Sequence, residues 1–207
     1  MDSKRKKILF EPIFKNNPVI VQMLGVCSAL AVTSKLEPAI VMGISVVIVL
    51  TFANFIISLL RNTIPSRIRI IVQLVIVAAL VTIVSEILKA YAYDVNKQLS
   101  VFVGLIITNC ILMGRLEAFA LGNKPSDSIL DGVGNGVGYA VILVAVGFFR
   151  ELLGSGTLLG FHVIPKSVYD FGYENNGLMI LPPMALITVA VLIWVHRSKQ
   201  KELQEEN

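Results

Sequence analysis

Only two residues in this 207-residue chain are cysteines, Cys27 and Cys110, and both sit in the same local setting. LGVCSALAVTSKLE (24–37) and GLIITNCILMGRLE (104–117) each place a cysteine inside an uncharged apolar run and follow it with a basic-Leu-Glu triplet. A cysteine used twice in matching apolar surroundings has three chemical readings. Two small buried hydrophobes is the first, since free cysteine is commonly buried and inert. An intramembrane disulfide is the second. The third is metal ligation, for which thiolates suit zinc, Cu(I) or iron–sulfur clusters. Two thiolates do not complete a four-cysteine iron–sulfur site, so the cluster reading needs two more from a second chain.

The elements that must position these thiols follow from composition. Hydrophobic residues make up 55% and charged residues 15% of the chain, and mean hydropathy is +0.76. A soluble domain carries about 25% charged residues, so the chain reads as an all-α integral membrane protein. Apolar segments fall at 18–34, 38–60, 70–93, 99–114, 129–149 and 175–195. The expected organisation is a basic lead at 1–17, a membrane domain of six transmembrane helices at 18–196, and a charged tail at 197–207. Asn16-Asn17 before Pro18 predicts a cap and a first helical position. The lead has no signal-peptide pattern, so no cleaved signal is expected. With the N-terminus in the cytoplasm, 13 of the 18 Lys and Arg fall inside and 5 outside, which predicts both termini cytoplasmic. The net charge of +4 is accounted for by this margin and calls for no nucleic-acid partner.

The first and fourth segments, which hold the cysteines, are short. At about 1.5 Å per residue they reach roughly 25 Å against a hydrocarbon core of about 30 Å. Each is expected to be a helix that stops part-way, with its cysteine about ten residues in, finished by irregular chain shielded within protein. Three segments per half then give two inverted three-helix repeats, about 18–93 and 99–196, with the first helix of each short or interrupted. Such a pattern points to a functional site near the midplane.

Other polar residues have structural readings beside functional ones. Gly132/Gly136 and Gly134/Gly138 in DGVGNGVGY are small-xxx-small pairs for close helix packing. Asp131 and Asn135 read as interface caps or as lining an ion path. Glu37 and Glu117 are expected to pair with Lys35 and Arg115 or with other loops, with cation attraction as the alternative. Glu86 and Lys89 share a helix face and are expected to pair. Arg61 and Arg150-Glu151 read as anchors at helix ends, and His162 and His196 carry no ligand role. No nucleophile triad, P-loop or flavin-binding motif is evident.

Five blocks carry a family resemblance: LGVCSALAVT (24–33), SLLRNTIPSRIRIIVQ (58–73), KQLSVFVGLIITNCILMGR (97–115), DGVGNGVGY (131–139) and VGFFRELLGSG (146–156). Together they closely resemble the NqrDE/RnfAE membrane protein family, in the branch of the D-type subunits of Na+-translocating NADH:quinone reductases. The resemblance spans about residues 12–195. It implies one component, not catalytic alone, of a six-subunit complex in the bacterial inner membrane. That complex passes electrons from NADH to ubiquinone and exports Na+. It also implies a pseudo-symmetric partner, the homologous E-type subunit (NqrE), and a [2Fe-2S] cluster between the two. Two cysteines from each chain would ligate that cluster, here Cys27 and Cys110. FAD, FMN, riboflavin and quinone would lie only in other components of the complex, among its A-, B-, C- and F-type subunits. Alternatives are the equivalent E-type component of the Rnf ferredoxin:NAD+ oxidoreductase, a stand-alone inverted-repeat ion transporter, or a scaffold protein. Charged residues inside the long spans would favour the transporter, and these spans are almost free of them.

Overall fold

The computed structural model describes residues 3–14, 16–65, 67–91, 104–158, 161–162 and 177–199. Its helices are α1 (Ser3–Phe14), α2 (Val26–Val32), α3 (Leu36–Leu60), α4 (Arg69–Tyr91), α5 (Cys110–Arg115), α6 (Pro125–Ser155) and α7 (Pro182–Lys199). A helical turn at 104–107 precedes α5, and a π-helical turn, Leu116–Ala120, continues it. A 3₁₀ turn, Gly177–Ile180, leads into α7. A two-residue antiparallel pair, β1 (Thr157–Leu158) with β2 (Phe161–His162), follows α6.

Among the described residues three helical stretches are long and apolar enough to cross a membrane: Leu36–Leu60, Arg69–Ile87 and Pro125–Ser155. The apolar part of α7, Pro182–Ser198, is shorter. Large apolar side chains stand exposed along these helices, including Phe52, Ile71, Val75, Ile83, Val141 and Trp194. In water such faces would be a liability; in a bilayer they are the solvent-facing surface.

The centre of the fold is the antiparallel pair α3 and α6. Ala39 lies opposite Gly147, Gly43 opposite Ala140, Val47 opposite Gly136, and Thr51 opposite Gly132. A methyl group added at Gly132 would lie 2.9 Å from the Thr51 Cα, and one at Gly136 would lie 3.0 Å from the Val47 Cα. The two backbones are therefore in contact. The other glycine pair turns to α1: a methyl at Gly134 would meet the Leu9 carbonyl oxygen at 2.7 Å, and one at Gly138 the Pro12 carbonyl at 2.6 Å. The DGVGNGVGY run is thus two small-xxx-small stripes, each receiving a different helix. Gly138→Ala is expected to push α1 off α6 and cost about 1–3 kcal/mol. Gly104→Ala, where a methyl meets nothing within 4 Å, serves as the silent control. Unfolding temperatures of the two variants in detergent check this.

Three sequence expectations need correction. The stretch 18–34 is not a helix finished by irregular chain but the reverse: turns and irregular chain come first, and only Val26–Val32 is α-helical. Asn17 caps a turn instead, its Oδ1 accepting from the N–H groups of Val19 (2.9 Å) and Ile20 (3.3 Å). Left-handed backbone at Met23 (φ 54°) and Gly25 (φ 85°) then separates that turn from α2. Part of the lead is itself a helix: α1 runs parallel to the first half of α6, from an Arg5–Asp127 ion pair at 3.4 Å to Gly138. The chain before α3 is accordingly two short helices, α1 and α2, with irregular chain and turns at 16–25 between them. Finally, α6 does not close at Arg150-Glu151 but runs on to Ser155, where Gly156 ends it in the left-handed conformation at φ 67°.

Arg150 and Glu151 do not anchor the helix in an interface; both are buried and cap other elements. The Arg150 guanidinium donates to the Thr33 Oγ1 (2.6 Å) and Ile180 carbonyl (2.6 Å). It also reaches the Leu30 carbonyl (3.5 Å) and the Met179 carbonyl (3.1 Å). Glu151 accepts the Leu36 N–H at 2.5 Å, filling an orphan donor at the start of α3. At the opposite end of the fold Arg61 donates to the Asn123 carbonyl at 2.8 Å, again just before a long helix. The expected Glu86–Lys89 pair is present at 2.5 Å on an exposed face of α4.

Candidate metal centre

Cys27 and Cys110, 83 residues apart in sequence, meet in the structure with their sulfurs 3.9 Å apart. Both are free thiols; Cys27 is exposed and Cys110 half-buried. Neither lies ten residues into a helix, as the sequence suggested. Cys27 is the second residue of α2 and Cys110 the first of α5, so both stand where irregular chain becomes helix.

The local sequence explains why the breaks fall there. Asn109 is extended (φ −67°, ψ 123°), and its Oδ1 accepts the Ile111 N–H at 3.3 Å, an N-cap that starts α5 at Cys110. Gly25 is left-handed and turns its N–H onto the Cys110 sulfur at 2.8 Å. Behind the thiols lies a buried polar group. The Ser28 hydroxyl donates to the Gly25 carbonyl at 2.9 Å and is 2.6 Å from the Tyr139 hydroxyl. The Asn109 amide donates to both of those side-chain oxygens, at 3.3 Å each. Sequence reading missed Ser28, Asn109 and Tyr139. Their signals were adjacency to each cysteine and an aromatic closing the glycine run.

The spacing suits two thiolates on one metal ion. Two thiolates on one tetrahedral ion, with metal–sulfur bonds of about 2.3 Å, stand roughly 3.8 Å apart. Among the described residues no third His, Cys, Asp or Glu joins them.

The remaining candidates lie elsewhere. Asp131 is not an interface cap: it is buried and pairs with Arg115, with Nε to Oδ2 at 3.0 Å and Nη2 on Oδ1. Asn135 donates to the same carboxylate at 2.9 Å. Arg115 being so engaged, Glu117 pairs with Arg69 at 2.5 Å and accepts from Gln73 at 3.1 Å. Glu37 is exposed and has no ion pair among the described residues.

Fold and site together define an integral-membrane protein of the interrupted-helix type, with its reactive groups at the helix breaks. The chain belongs to the Rnf-Nqr family of membrane-protein subunits, whose family model matches residues 5–193. It is 56% identical over 201 residues to the D subunit of the Na(+)-translocating NADH-quinone reductase of Shewanella halifaxensis, covering 97% of this chain and 95% of the relative. The D subunit of the Psychromonas ingrahamii reductase is 55% identical over 200 residues, at 97% and 95% coverage. That of Yersinia enterocolitica is 55% identical over 207 residues, covering 99% of both chains.

Proposed function

We propose that this chain is the D-type membrane subunit of a Na+-translocating NADH:quinone reductase, and that it holds half of a [2Fe-2S] centre shared with the homologous E-type subunit. The observation that carries the reading is the Cys27–Cys110 pair, 3.9 Å apart at the ends of two interrupted helices with one thiol exposed. The reading gains support from relatives named as D subunits over nearly the whole chain.

When bound, such a centre takes up and passes on single electrons. The chain's own residues hold its place. Cys27 and Cys110 offer two thiolates, and the Gly25 N–H donates to one of them. Asn109 sets the break at which Cys110 sits. A hydrocarbon core of about 30 Å is too thick for one useful electron step, and a pair of half-span helices meeting inside it gives a relay point. NADH and flavin chemistry belongs to other subunits, as does quinone, and Na+ export is coupled through the complex.

Two inverted repeats of three helices suit the fold described. The first long helices of the two halves, α3 and α6, pack antiparallel. Each half places a cysteine at the start of a short helix before its long one, and Arg61 and Arg150 reach equivalent inter-helix junctions. On this reading the chain lies in the bacterial inner membrane with both termini cytoplasmic.

The test is iron and acid-labile sulfide in anaerobically purified chain, alone and paired with the E-type subunit. Iron and sulfide in the pair only, lost on Cys27→Ala or Cys110→Ala, is the expected result. A well-folded pair free of both would overturn the cluster.

A further inference from the structure

We infer that Tyr139 is a positioning residue for the thiol pair, holding Cys27 and Cys110 at ligating distance through Ser28, Gly25 and Asn109; this rests on the cluster-binding role proposed above. One assignment of donors and acceptors satisfies every group. The single Ser28 proton goes to the Gly25 carbonyl at 2.9 Å, so at the 2.6 Å contact the Tyr139 hydroxyl donates to the Ser28 oxygen. The two Asn109 amide protons go to Ser28 and Tyr139. The Asn109 Oδ1 is then free to cap α5 at Ile111.

The group therefore ties α2, α5 and α6 together at one point. Tyr139 is fully buried. Its ring also packs on Gly25, where an added methyl would lie 2.6 Å from Cε2. Gly25 has two duties in its left-handed conformation: its N–H meets the Cys110 sulfur at 2.8 Å, and Cys27 follows two residues on. Removing the Tyr139 hydroxyl loosens both cysteine-bearing breaks at once, while the ring still fills its space. Hydrogen bonds to ligand sulfurs help set the potential of an iron–sulfur centre. An N–H donor favours the more negative, reduced state, so loosening Gly25 lowers the potential.

Two readouts test this. In the first, full-length metal-free chain is titrated with phenylarsine oxide, whose arsenic forms two As–S bonds to adjacent thiols and releases water. Tyr139→Phe is expected to bind it about tenfold more weakly than the unchanged chain, while N-ethylmaleimide still modifies both cysteines singly. Ser28→Ala removes the same link from the other side and should match it, and it stands in if Tyr139→Phe does not accumulate. In the second, the pair with the E-type subunit is titrated redox-potentiometrically. A tenfold shift of the equilibrium toward the oxidised centre, 59 mV for one electron, is expected in both variants. Unchanged arsenical affinity and unchanged potential in both variants would overturn the positioning role. An iron-free unchanged pair counts against the cluster reading alone, and the arsenical affinities still decide the role of Tyr139.

Discussion

Cys27→Ser and Cys110→Ser are each expected to abolish quinone reduction in a complex that still assembles. Serine is nearly isosteric with cysteine, and at position 110 its oxygen can still accept the Gly25 N–H that now reaches the sulfur at 2.8 Å. The break before α5 is set by Asn109 rather than by the thiol, so neither substitution removes a structural support. What is lost is the soft thiolate that iron–sulfur ligation requires. Outer-shell losses at metal sites cost about 10–100-fold, and a lost ligand should exceed that. Steady-state quinone reduction by the purified complex, with subunit stoichiometry checked in the same preparation, measures it. A serine variant that turns over at the normal rate would remove the cysteines from the electron path. NADH oxidation by an artificial acceptor at the flavin-bearing subunits should persist in both variants.

What could be read from the sequence was that Cys27 and Cys110 occupy matching settings, because the apolar run and the following triplet recur; that their sulfurs come within 3.9 Å is supplied by the fold. The glycine stripe was legible for the same kind of reason: spacing at i and i+4 speaks directly of a helix face. The sequence was less informative wherever a residue's partner lies far along the chain. Arg150-Glu151 looks like a helix end because two charges interrupt an apolar run. Only the fold brings Leu36 and Thr33 to them and makes capping their role. Likewise Lys4-Arg5-Lys6-Lys7 reads as a polar lead, and nothing in it announces that it lies within a helix, α1. The seat of α1 is backbone contact at Gly134 and Gly138. Tyr139, Ser28 and Asn109 are ordinary residues one at a time. Their joint role arises from hydrogen bonds across 30 to 111 residues of sequence.

Breaking the Arg115–Asp131 pair should be the most damaging single change away from the thiols. The carboxylate side chain is 3% exposed and the guanidinium 15%. Asp131 takes two donors from Arg115 and one from Asn135, with the Asn54 amide at 3.4 Å. Among the described residues Arg115 also lies over the Phe119 ring, at 5.4 Å. Asp131→Ala therefore leaves a cation without its anion inside an apolar bundle, where removal of one partner costs about 3–5 kcal/mol. For a chain of this size that corresponds to a fall of roughly 6–20 °C in unfolding temperature. Asp131→Asn should be nearly as costly, because the amide keeps the shape but not the charge. The double variant Arg115→Met/Asp131→Leu is expected to regain most of the loss, since a buried pair replaced by apolar residues of similar volume is often neutral. Thermal unfolding in detergent across the single and double variants separates the two cases. If the double variant is as unstable as Asp131→Ala, the ion pair is not the reason for the loss. Because Arg115 ends the helix that Cys110 begins, recovery of stability should bring recovery of iron binding with it.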